Sequence, residues 1–323
     1  MDYELFKTTI QNAKKILIIS HVNPDGDTLG SMSALYGIIL NNFGFSQDDV
    51  DMVYNGIIPE IYKFIPFIER AKKPAAVSTI QYDLAISVDI AAKDRMGDSL
   101  PLFEKTNIRM NIDHHKTNTN FGTINFVRGD ACSCGEVLFD IFKALALKTD
   151  KNTAWALFAA ILTDTGGFRY ENTTAQTLQK AAELIQLGAE PATISRYCYE
   201  SKPRNMVLLH ANCMINAEFS DNNKIAGICI TNKDMEKFHA TNDYTEGLVE
   251  ELRRINTTEV SYVIKEVDEN TSKVSLRSKT ADVSVVAQVF GGGGHTFAAG
   301  CTIRKPLNIA KNKLVEEIRK VLG

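Results

Sequence analysis

The sequence lacks paired cysteines, an excess of positive charge and any long apolar run. Its six cysteines are dispersed without a CxxC pair, which favours reduced thiols in a reducing compartment over a disulfide framework. Cys132-Ser-Cys134 could form half of a zinc site, but no second cysteine pair accompanies it. We therefore expect free thiols and a cytoplasmic location.

The low charge and the short apolar runs exclude two classes of partner. The formal net charge is -3, so the chain has no overall basic field of the kind that binds long nucleic acid through counterion release. A nucleic-acid substrate should therefore be short. The N-terminal stretch MDYELFKTTIQNAKK has the spacing of an amphipathic helix and not the apolar core of a secretion signal. The apolar stretch AWALFAAIL (154–162) is too short to cross a bilayer, so we expect no membrane contact.

The first part of the chain alternates short β-rich apolar runs with helical patterns. This alternation is typical of an α/β fold in which helices cover both faces of a parallel sheet. The predicted strands are KILIIS (15–20), VDMVY (50–54), YDLAISV (82–88), NIRMNI (107–112) and TINFV (123–127). The predicted helices are SMSALYGIILNNF, SCGEVLFDIFKALAL, NTAWALFAAILT and TAQTLQKAAELIQLG.

The pattern changes after Pro191. With 323 residues and 44% hydrophobic content, the chain is long enough for two domains, each with its own core. We predict a first domain over 1–190, a helical linker over 191–210 with a break at Pro203, and a smaller α+β domain over 211–323. Its predicted strands are CMINAEF, IAGICIT, EVSYVIKEV and KVSLRSK, and its predicted helices are EGLVEELRRI, SVVAQVF and about 307–321.

Side chains that bind metals follow three of the predicted strands and one apolar helix. The carboxyl ends of parallel strands form one rim of the sheet, so these side chains can converge there. They are His21, Asp25, Asp27, Asp89, Asp113, His114, His115 and, before two glycines, Asp164. Oxygen and imidazole ligands without sulfur suit Mn²⁺ or Mg²⁺ better than structural zinc, and the set exceeds the needs of one ion. A pair of ions that shares a hydroxide catalyses in-line displacement at phosphorus, which predicts phosphoester hydrolysis.

Each of these clusters also has a simpler explanation. PDGD (24–27) is a good turn sequence, an aspartate at a strand end is often a cap, and adjacent histidines alone are weak evidence. A simple explanation must account at once for the residues after all three strands and for Asp164 at the end of the helix. We therefore favour the metal site.

The second domain offers residues suited to anion binding. In GGGGH (291–295) the backbone N–H groups of Gly292, Gly293 and Gly294 can approach an anion closely, although glycine runs are also common in flexible turns. His295 follows, and strand alternation places Leu276 and Arg277 on opposite faces. Arg277 could bind a phosphate through two parallel hydrogen bonds, whereas a solvated surface arginine is the default; Ser278 and Lys279 are weaker candidates.

In this order the motifs resemble those of the DHH phosphoesterase family, whose triplet is present as Asp113-His114-His115. HVNPDGDTLGS (21–31), SVD (87–89), NIDHHKTN (111–118) and LTDTGGF (162–168) resemble its four motifs. GGGGHTFAAG (291–300) resembles the signature of the C-terminal domain of the RecJ-like branch. The similarity covers nearly the whole chain, and the subgroup of stand-alone oligoribonucleases and 3'-phosphoadenosine 5'-phosphate (pAp) phosphatases has this two-domain length.

The resemblance implies a role for each matching residue. His21 and Asp25 would bind one divalent ion, Asp27, His114 and Asp164 the second, and Asp89 would bridge them. His115 would face the scissile phosphate, and Asp113 would orient the histidines. Arg277, His295 and the glycine loop would bind the rest of the substrate. Mn²⁺ is the expected metal, with Mg²⁺ as the alternative.

The expected function is hydrolysis of short RNA or pAp in a cleft between a metal-binding domain and a substrate-binding domain. Thr296 and Phe297 depart from the more polar residues expected after GGGGH, which bears on substrate preference. Alternatives are a phosphodiesterase of cyclic or linear dinucleotides, an inorganic pyrophosphatase, and a catalytically silent nucleotide sensor. We expect a monomer or homodimer.

Overall fold

The computed structural model describes residues 2–322, with every side chain in that range except that of His295. The chain forms two compact units that divide between Ser201 and Lys202. Two helices occupy most of the segment predicted as a linker, and Pro203 precedes the second of them.

The first unit is built on a five-stranded parallel sheet. Its strands are β1 (Ile16–Val22), β2 (Val50–Asn55), β3 (Leu84–Val88), β4 (Ile108–Asp113) and β5 (Ile124–Val127). They lie in the order β2-β1-β3-β4-β5, and every pairing is parallel. The predicted parallel sheet is confirmed.

Helices cover both faces of this sheet, as predicted. They are α1 (Tyr3–Gln11), α2 (Gly26–Phe43), α3 (Leu100–Lys105), α4 (Cys134–Ala144), α5 (Lys151–Asp164), α6 (Ala175–Gln186) and α7 (Pro191–Tyr199). Short 3₁₀ helices occupy Glu60–Tyr62, Ile68–Arg70, Pro74–Val77 and Lys93–Ser99. Because side chains alternate along a strand, Ile16 and Ile18 of β1 join the core formed with α2, α4 and α5, whereas Leu17 and Ile19 join the core on the α3 side.

The order of the strands creates a crevice at the end of β1. The chain passes from β1 to β2 on one side and then to β3 on the other, so the connections diverge at the carboxyl ends of β1 and β3. Helix α2 begins there, where the Asp25 carboxylate caps it by accepting the N–H of Thr28 at 3.1 Å. The residues of α2 are buried from Gly26 to Ile39, which identifies it as a core helix.

The second unit is a smaller α+β domain, as predicted. Its elements are α8 (Arg204–Ile215), β6 (Glu218–Ser220), β7 (Ile225–Ile230), α9 (Asn232–Lys237), the 3₁₀ helix Asn242–Thr245, α10 (Leu248–Arg253), β8 (Val260–Asp268), β9 (Thr271–Ser278), α11 (Val283–Val289), β10 (Gly293–His295), β11 (Ala298–Ile303) and α12 (Leu307–Leu322). The mixed sheet has the order β10-β11-β9-β8-β7-β6, with β7 and β8 parallel.

This unit differs from the sequence-based prediction in several elements, since α9 and β10 were also not predicted. The predicted strand CMINAEF is wrong over most of its length, because α8 continues to Ile215 and buries Leu209 and Cys213, four residues apart on one helical face. The strand β11 was not predicted. Its buried residues Ala299, Cys301 and Ile303 alternate correctly, but two of them are small and give a weak hydrophobic pattern.

Two further expectations concern membranes and cysteines. Within residues 2–322, no helix combines the length and the apolar character that crossing a bilayer requires. All six cysteines are free thiols, as the dispersed pattern predicted.

Candidate active site at the sheet rim

The metal-binding side chains predicted in the first unit converge at the carboxyl ends of β1, β3 and β4. Three groups of ligand atoms lie within 4.8 Å of one another: His21, Asp25 and Asp89; Asp27, His114 and Asp164; and Asp89, Asp113, His114 and His115. Helix α2 supplies Asp27 in its first turn, and Asp164 is the last residue of α5. All eight predicted residues therefore lie in one cluster.

Asp89 lies between the two halves of the cluster. Its Oδ2 atom is 3.6 Å from His21 Nε2, and its Oδ1 atom is 3.4 Å from His114 Nε2. Both distances exceed those of a strong hydrogen bond. They suit ligands of a shared ion, because two atoms each about 2.1 Å from one cation lie roughly 3 to 4 Å apart.

The Asp89 carboxylate also has an unused acceptor. Thr28 Oγ1 donates to Asp89 Oδ2 at 2.6 Å, but Oδ1 is buried and has no hydrogen-bond partner among the described residues. A buried carboxylate oxygen without a partner is costly, and the side chain is only 4% exposed. A divalent cation would satisfy this oxygen, so the residues fit a metal site.

The backbone at Asp89 is strained. Its φ of 59° lies in the left-handed region, which non-glycine residues rarely occupy. The N–H of Asp89 donates to the carbonyl of Ile112 on β4 at 2.9 Å, which fixes this conformation. Strain of this kind concentrates at functional sites, where the surrounding structure holds it in place.

The imidazoles of His21 and His114 are oriented by main-chain carbonyls. His21 Nδ1 lies 2.8 Å from the carbonyl of Val22, and His114 Nδ1 lies 3.4 Å from the carbonyl of Ala131. When Nδ1 carries the proton, Nε2 is left as the lone-pair donor that a metal requires. The two Nε2 atoms face the carboxylates, at 3.8 Å from Asp25 for His21 and at 3.6 and 3.7 Å from Asp27 and Asp164 for His114.

The main chain of α4 holds Asp27, a contact that sequence analysis missed. The N–H groups of Cys134 and Gly135 donate to its carboxylate at 2.7 and 3.0 Å, and Ser31 Oγ donates at 3.1 Å. The first turn of a helix favours a negative charge. The sequence signal is the cap Ser133, whose Oγ accepts the N–H of Glu136, but the donors themselves are backbone groups that no residue type marks.

Cys132 and Cys134 are structural. Neither belongs to a group of described residues that could hold a metal, and burial raises the pKa of both thiols. The Cys134 thiol donates to the carbonyl of Ile112. Among the described residues, no group of three or more metal-binding side chains includes either cysteine, so the alternative of a half zinc site gains no support.

Asp113 and Asn118 position His115. Asp113 is fully buried, and its Oδ1 accepts His115 Nδ1 at 2.8 Å, while Asn118 donates to its Oδ2 at 2.5 Å. Asn118 also donates to Asn111 Oδ1 and to the carbonyl of Ile90, which ties the loop after β4 to the rim. Asn118 ends the third motif, but sequence analysis assigned it no role. His115 is 44% exposed, and its Nε2 is free to meet a ligand.

Four side chains of the cluster bind protons more tightly than they would in water. They are His21, His114, Asp27 and Asp164. Burial lowers the pKa of His21, but the Asp25 and Asp89 carboxylates outweigh it and raise the value to about 10. The pKa of His114 is raised to about 10 by the same balance. Burial raises the pKa of Asp27 and brings that of Asp164 to about 6. Divalent cations replace such protons, because imidazole and carboxylate must be deprotonated to bind them.

In the second unit, Arg277 is engaged by an acidic partner. Its Nε lies 2.9 Å from Glu250 Oε1 on α10, and its Nη1 donates to the carbonyl of Leu276. The side chain is about one third exposed, whereas Leu276 is buried on the opposite face of β9, as the alternation predicted. Arg277 is therefore oriented and still accessible.

The neighbouring candidates Ser278 and Lys279 have local partners. Ser278 is buried, and its hydroxyl donates to the carbonyl of Ala281. Lys279 Nζ donates to the carbonyls of Ile255 and Asn256 at 2.8 and 3.1 Å. Their predicted roles in substrate binding stay predictions, and the side chain of Ser278 is turned away from solvent.

The predicted glycine loop forms a tight hairpin. Gly293 and Gly294 in β10 pair with Gly300 and Ala299 in β11. A side chain at Gly292 would meet the carbonyl oxygen of Gly300 at 2.2 Å, so close packing of the backbone explains this glycine without a ligand. The side chain of His295 lies outside the described residues, and its predicted role stays a prediction.

Comparison with known proteins agrees with the motifs and the geometry. Residues 15–162 match the N-terminal domain of the DHH family, and residues 223–323 match the DHHA1 domain. A protein of Streptococcus mutans named probable bifunctional oligoribonuclease and PAP phosphatase NrnA is 31% identical, over 98% of this chain and 99% of its own length. The Bacillus subtilis protein named bifunctional oligoribonuclease and PAP phosphatase NrnA is 29% identical over 94% of this chain and 93% of its own.

A solved structure shares the fold. The crystal structure of an exopolyphosphatase-related protein from Bacteroides fragilis has a TM-score of 0.90 with 24% sequence identity, and it covers 98% of this chain and 95% of its own. The two domain matches and the full-length similarity to the Streptococcus mutans protein lead to one conclusion: the chain belongs to the DHH family and carries a C-terminal DHHA1 domain.

Proposed function

We propose that this chain is a metal-dependent phosphoesterase that hydrolyses short oligoribonucleotides and pAp. The observation that carries the proposal is the position of Asp89, whose two carboxylate oxygens face two separate sets of metal-binding side chains. The names of the similar proteins from Streptococcus mutans and Bacillus subtilis support the substrate class.

The residues at the rim divide into two sets. His21, Asp25 and Asp89 would hold one divalent cation, and Asp27, His114 and Asp164, together with Asp89, would hold the second. Carboxylates with imidazoles and no thiolate favour Mn²⁺, with Mg²⁺ as the alternative. Two such cations supply an activated water and a positive field that stabilises charge at phosphorus.

His115 acts on the substrate itself. Its hydrogen bond to the buried Asp113 is the largest cause that raises the pKa of His115, so the ring keeps its second proton at a higher pH than a free histidine. The exposed Nε2 can then donate to a phosphate oxygen. Asp113 and Asn118 fix the ring in this orientation.

The second unit binds the part of the substrate remote from the reacting phosphate. Arg277, the backbone of Gly292, Gly293 and Gly294, and His295 supply the contacts. The net charge of -3 and the single tryptophan favour substrates of a few nucleotides over long single strands. A cytoplasmic location and a monomeric or homodimeric state accompany this proposal as predictions.

One panel of substrates tests the proposal. Protein stripped of metal and reloaded with Mn²⁺ is offered pAp, a short RNA, linear pGpG, cyclic di-AMP and pyrophosphate. Release of phosphate from pAp or of 5'-mononucleotides from the RNA is the expected result. Selective cleavage of a dinucleotide would identify a dinucleotide phosphodiesterase instead, and binding without turnover of any compound would identify a sensor.

A further inference from the structure

Asn172, in the loop between α5 and α6, connects two parts of the metal cluster without belonging to the ligand set. Its side-chain amide donates to the carbonyl of Cys132 at 2.9 Å and to the carbonyl of Asp164 at 3.1 Å. Cys132 lies just before α4, whereas Asp164 is the last residue of α5. One side chain therefore joins the start of one helix to the end of another at the rim of the sheet.

The two partners fix the orientation of the Asn172 amide. A carbonyl only accepts hydrogen bonds, so Nδ2 and not Oδ1 must face Cys132 and Asp164. In this orientation Oδ1 is buried and has no hydrogen-bond partner among the described residues. An unsatisfied buried acceptor lowers stability, and an apolar side chain would avoid this loss. An asparagine at such a position therefore indicates a role other than packing.

The Cys132 peptide is held at both of its polar groups. Its carbonyl accepts Asn172, and its N–H donates to Glu136 Oε2 at 3.1 Å. Thr177 Oγ1 of α6 donates to the same Glu136 oxygen at 3.2 Å. The chain therefore enters α4 from a fixed position.

Two side chains assigned to the second cation are held by main-chain groups on either side of this peptide. Asp27 accepts the N–H groups of Cys134 and Gly135 at 2.7 and 3.0 Å. His114 Nδ1 lies 3.4 Å from the carbonyl of Ala131. A shift of this short segment would displace both ligands together.

Asp164, the third side chain assigned to the second cation, is joined to Asn172 directly. The last carbonyls of a helix have no partner within the helix, and Asn172 supplies one for Asp164. The Asp164 carboxylate faces His114, with 3.7 Å between Oδ2 and Nε2. The amide of Asn172 thus fixes the end of α5 from which this carboxylate projects.

The ligands assigned to the first cation are held by other groups. His21 Nδ1 lies 2.8 Å from the carbonyl of Val22, and the Asp25 carboxylate accepts the N–H of Thr28 at 3.1 Å. Thr28 Oγ1 also donates to Asp89 at 2.6 Å. These contacts belong to the end of β1 and the first turn of α2.

From these contacts we propose that Asn172 is a positioning residue for the second cation and not for the first. This inference rests on the proposed function, since it takes from it the division of the ligands between two cations. Without the amide, the carbonyls of Cys132 and Asp164 lose their common donor, and Asp27, His114 and Asp164 no longer converge. A single asparagine then decides whether the site holds two cations or one.

Calorimetric titration with Mn²⁺ compares Asn172→Asp with a matched control. Asn172→Asp keeps the shape of the side chain but sets an anionic oxygen against two carbonyls. In the control Asn42→Asp, near the far end of α2, the lost amide also donates to two carbonyls, those of Ile38 and Lys148 at 3.0 and 3.1 Å. The wild type and the control should bind two Mn²⁺ ions. Asn172→Asp should bind the first with unchanged affinity and the second about ten-fold more weakly or worse.

Electron paramagnetic resonance separates a positioning role from a general loss of structure. Two Mn²⁺ ions that share a carboxylate couple magnetically, whereas a lone ion gives the spectrum of isolated Mn²⁺. The wild type and Asn42→Asp should show the coupled spectrum, and Asn172→Asp should show mainly the isolated one. Asn172→Ala lacks both the donors and the unsatisfied oxygen, so it should remain folded and show the same loss of coupling.

The remaining outcomes separate this inference from the proposed function. Coupled spectra and equal affinities in every variant of a wild type that binds two ions would remove Asn172 from the metal site. Loss of both ions in Asn172→Asp and Asn172→Ala would contradict its selectivity for the second cation. A wild type that binds a single ion would overturn the two-cation site of the proposed function, and this inference with it.

Discussion

At the scale of single residues, the site depends on side chains whose orientation is fixed by neutral groups. The Nδ1 atoms of His21 and His114 are directed at carbonyls, and Asp89 is held by Thr28 and by a left-handed backbone. The resemblance to the family implied the ligands and the bridging position of Asp89. It did not predict the strain at Asp89 or the contribution of Asn118, because both arise from the loop conformations that the ends of β3 and β4 impose.

Asp89→Asn tests the bridging position directly. Asparagine keeps the shape and tolerates the left-handed backbone, but it offers one weak oxygen donor in place of two anionic ones. We expect kcat to fall about a thousand-fold or more, since several kcal/mol of transition-state stabilisation is lost. Circular dichroism should show an intact fold. The control Asp48→Asn changes an exposed carboxylate on a distant loop and should leave kcat unchanged. A near-normal kcat for Asp89→Asn would refute the ligand assignment.

At the scale of elements, the first turn of α4 connects a structural motif to the metal site. Ser133 caps the helix, and the next two N–H groups bind Asp27. The five strands of the first unit were predictable because buried parallel strands form short, dense apolar runs. The first turn of α4 was not predictable as part of the site, and neither was β11, because main-chain donors and small residues leave little pattern in a sequence.

Removing this cap should weaken metal binding as well as the helix. We expect Ser133→Ala to lower the free energy of unfolding by about 1 kcal/mol. Because the amides that hold Asp27 lose their support, Mn²⁺ affinity measured by calorimetry should fall about ten-fold. Thr231→Ala removes the equivalent cap of α9 and should cost similar stability without changing Mn²⁺ affinity. Identical metal affinities in the two variants would show that the cap has no influence on the site.

Glu136 makes the stability of the first unit depend on pH. Its carboxylate, 3% exposed, accepts Lys180 Nζ at 2.7 Å, Arg128 Nη2 at 3.1 Å and the N–H of Cys132 at 3.1 Å, which links α4 to α6. Burial raises the pKa of Glu136, but the hydrogen bonds of Cys132 and Lys180 outweigh it and lower the value from 4.5 to about 2. The folded state therefore binds this proton less tightly than the unfolded state, and stability is lost as the pH falls.

The pH dependence of unfolding tests this link. The contribution of Glu136, about 3 kcal/mol, is fully present above roughly pH 4.5 and disappears as the pH approaches 2. Urea denaturation between pH 6 and pH 3 should show a shallower loss of stability in Glu136→Gln than in the wild type. Parallel curves for the two proteins would contradict the lowered pKa.

At the scale of the whole molecule, the residues proposed for chemistry and those proposed to bind the rest of the substrate belong to different units. The metal-binding residues lie in the first unit, and Arg277 lies in the second. Both units of this division were predictable in outline, since the pattern of elements changes after Pro191. The pairing of Arg277 with Glu250 was not predictable, because it joins a strand to a helix 27 positions earlier in the chain.

Arg277→Ala should act on binding more than on chemistry. Loss of a charged hydrogen-bond donor to a phosphate should raise KM for pAp about ten-fold, with a much smaller change in kcat. Glu250→Gln removes the partner but leaves the guanidinium, so its KM should not rise. Steady-state kinetics in Mn²⁺ measure both constants, and a fall in kcat at constant KM would move Arg277 from substrate binding to the chemical step.

The central claim is that two divalent cations share the Asp89 carboxylate. Anomalous diffraction from crystals grown in Mn²⁺ measures this directly. We predict two peaks about 3.5 to 4 Å apart, each within bonding distance of one Asp89 oxygen. A single peak, or two peaks of which only one contacts Asp89, would contradict the account.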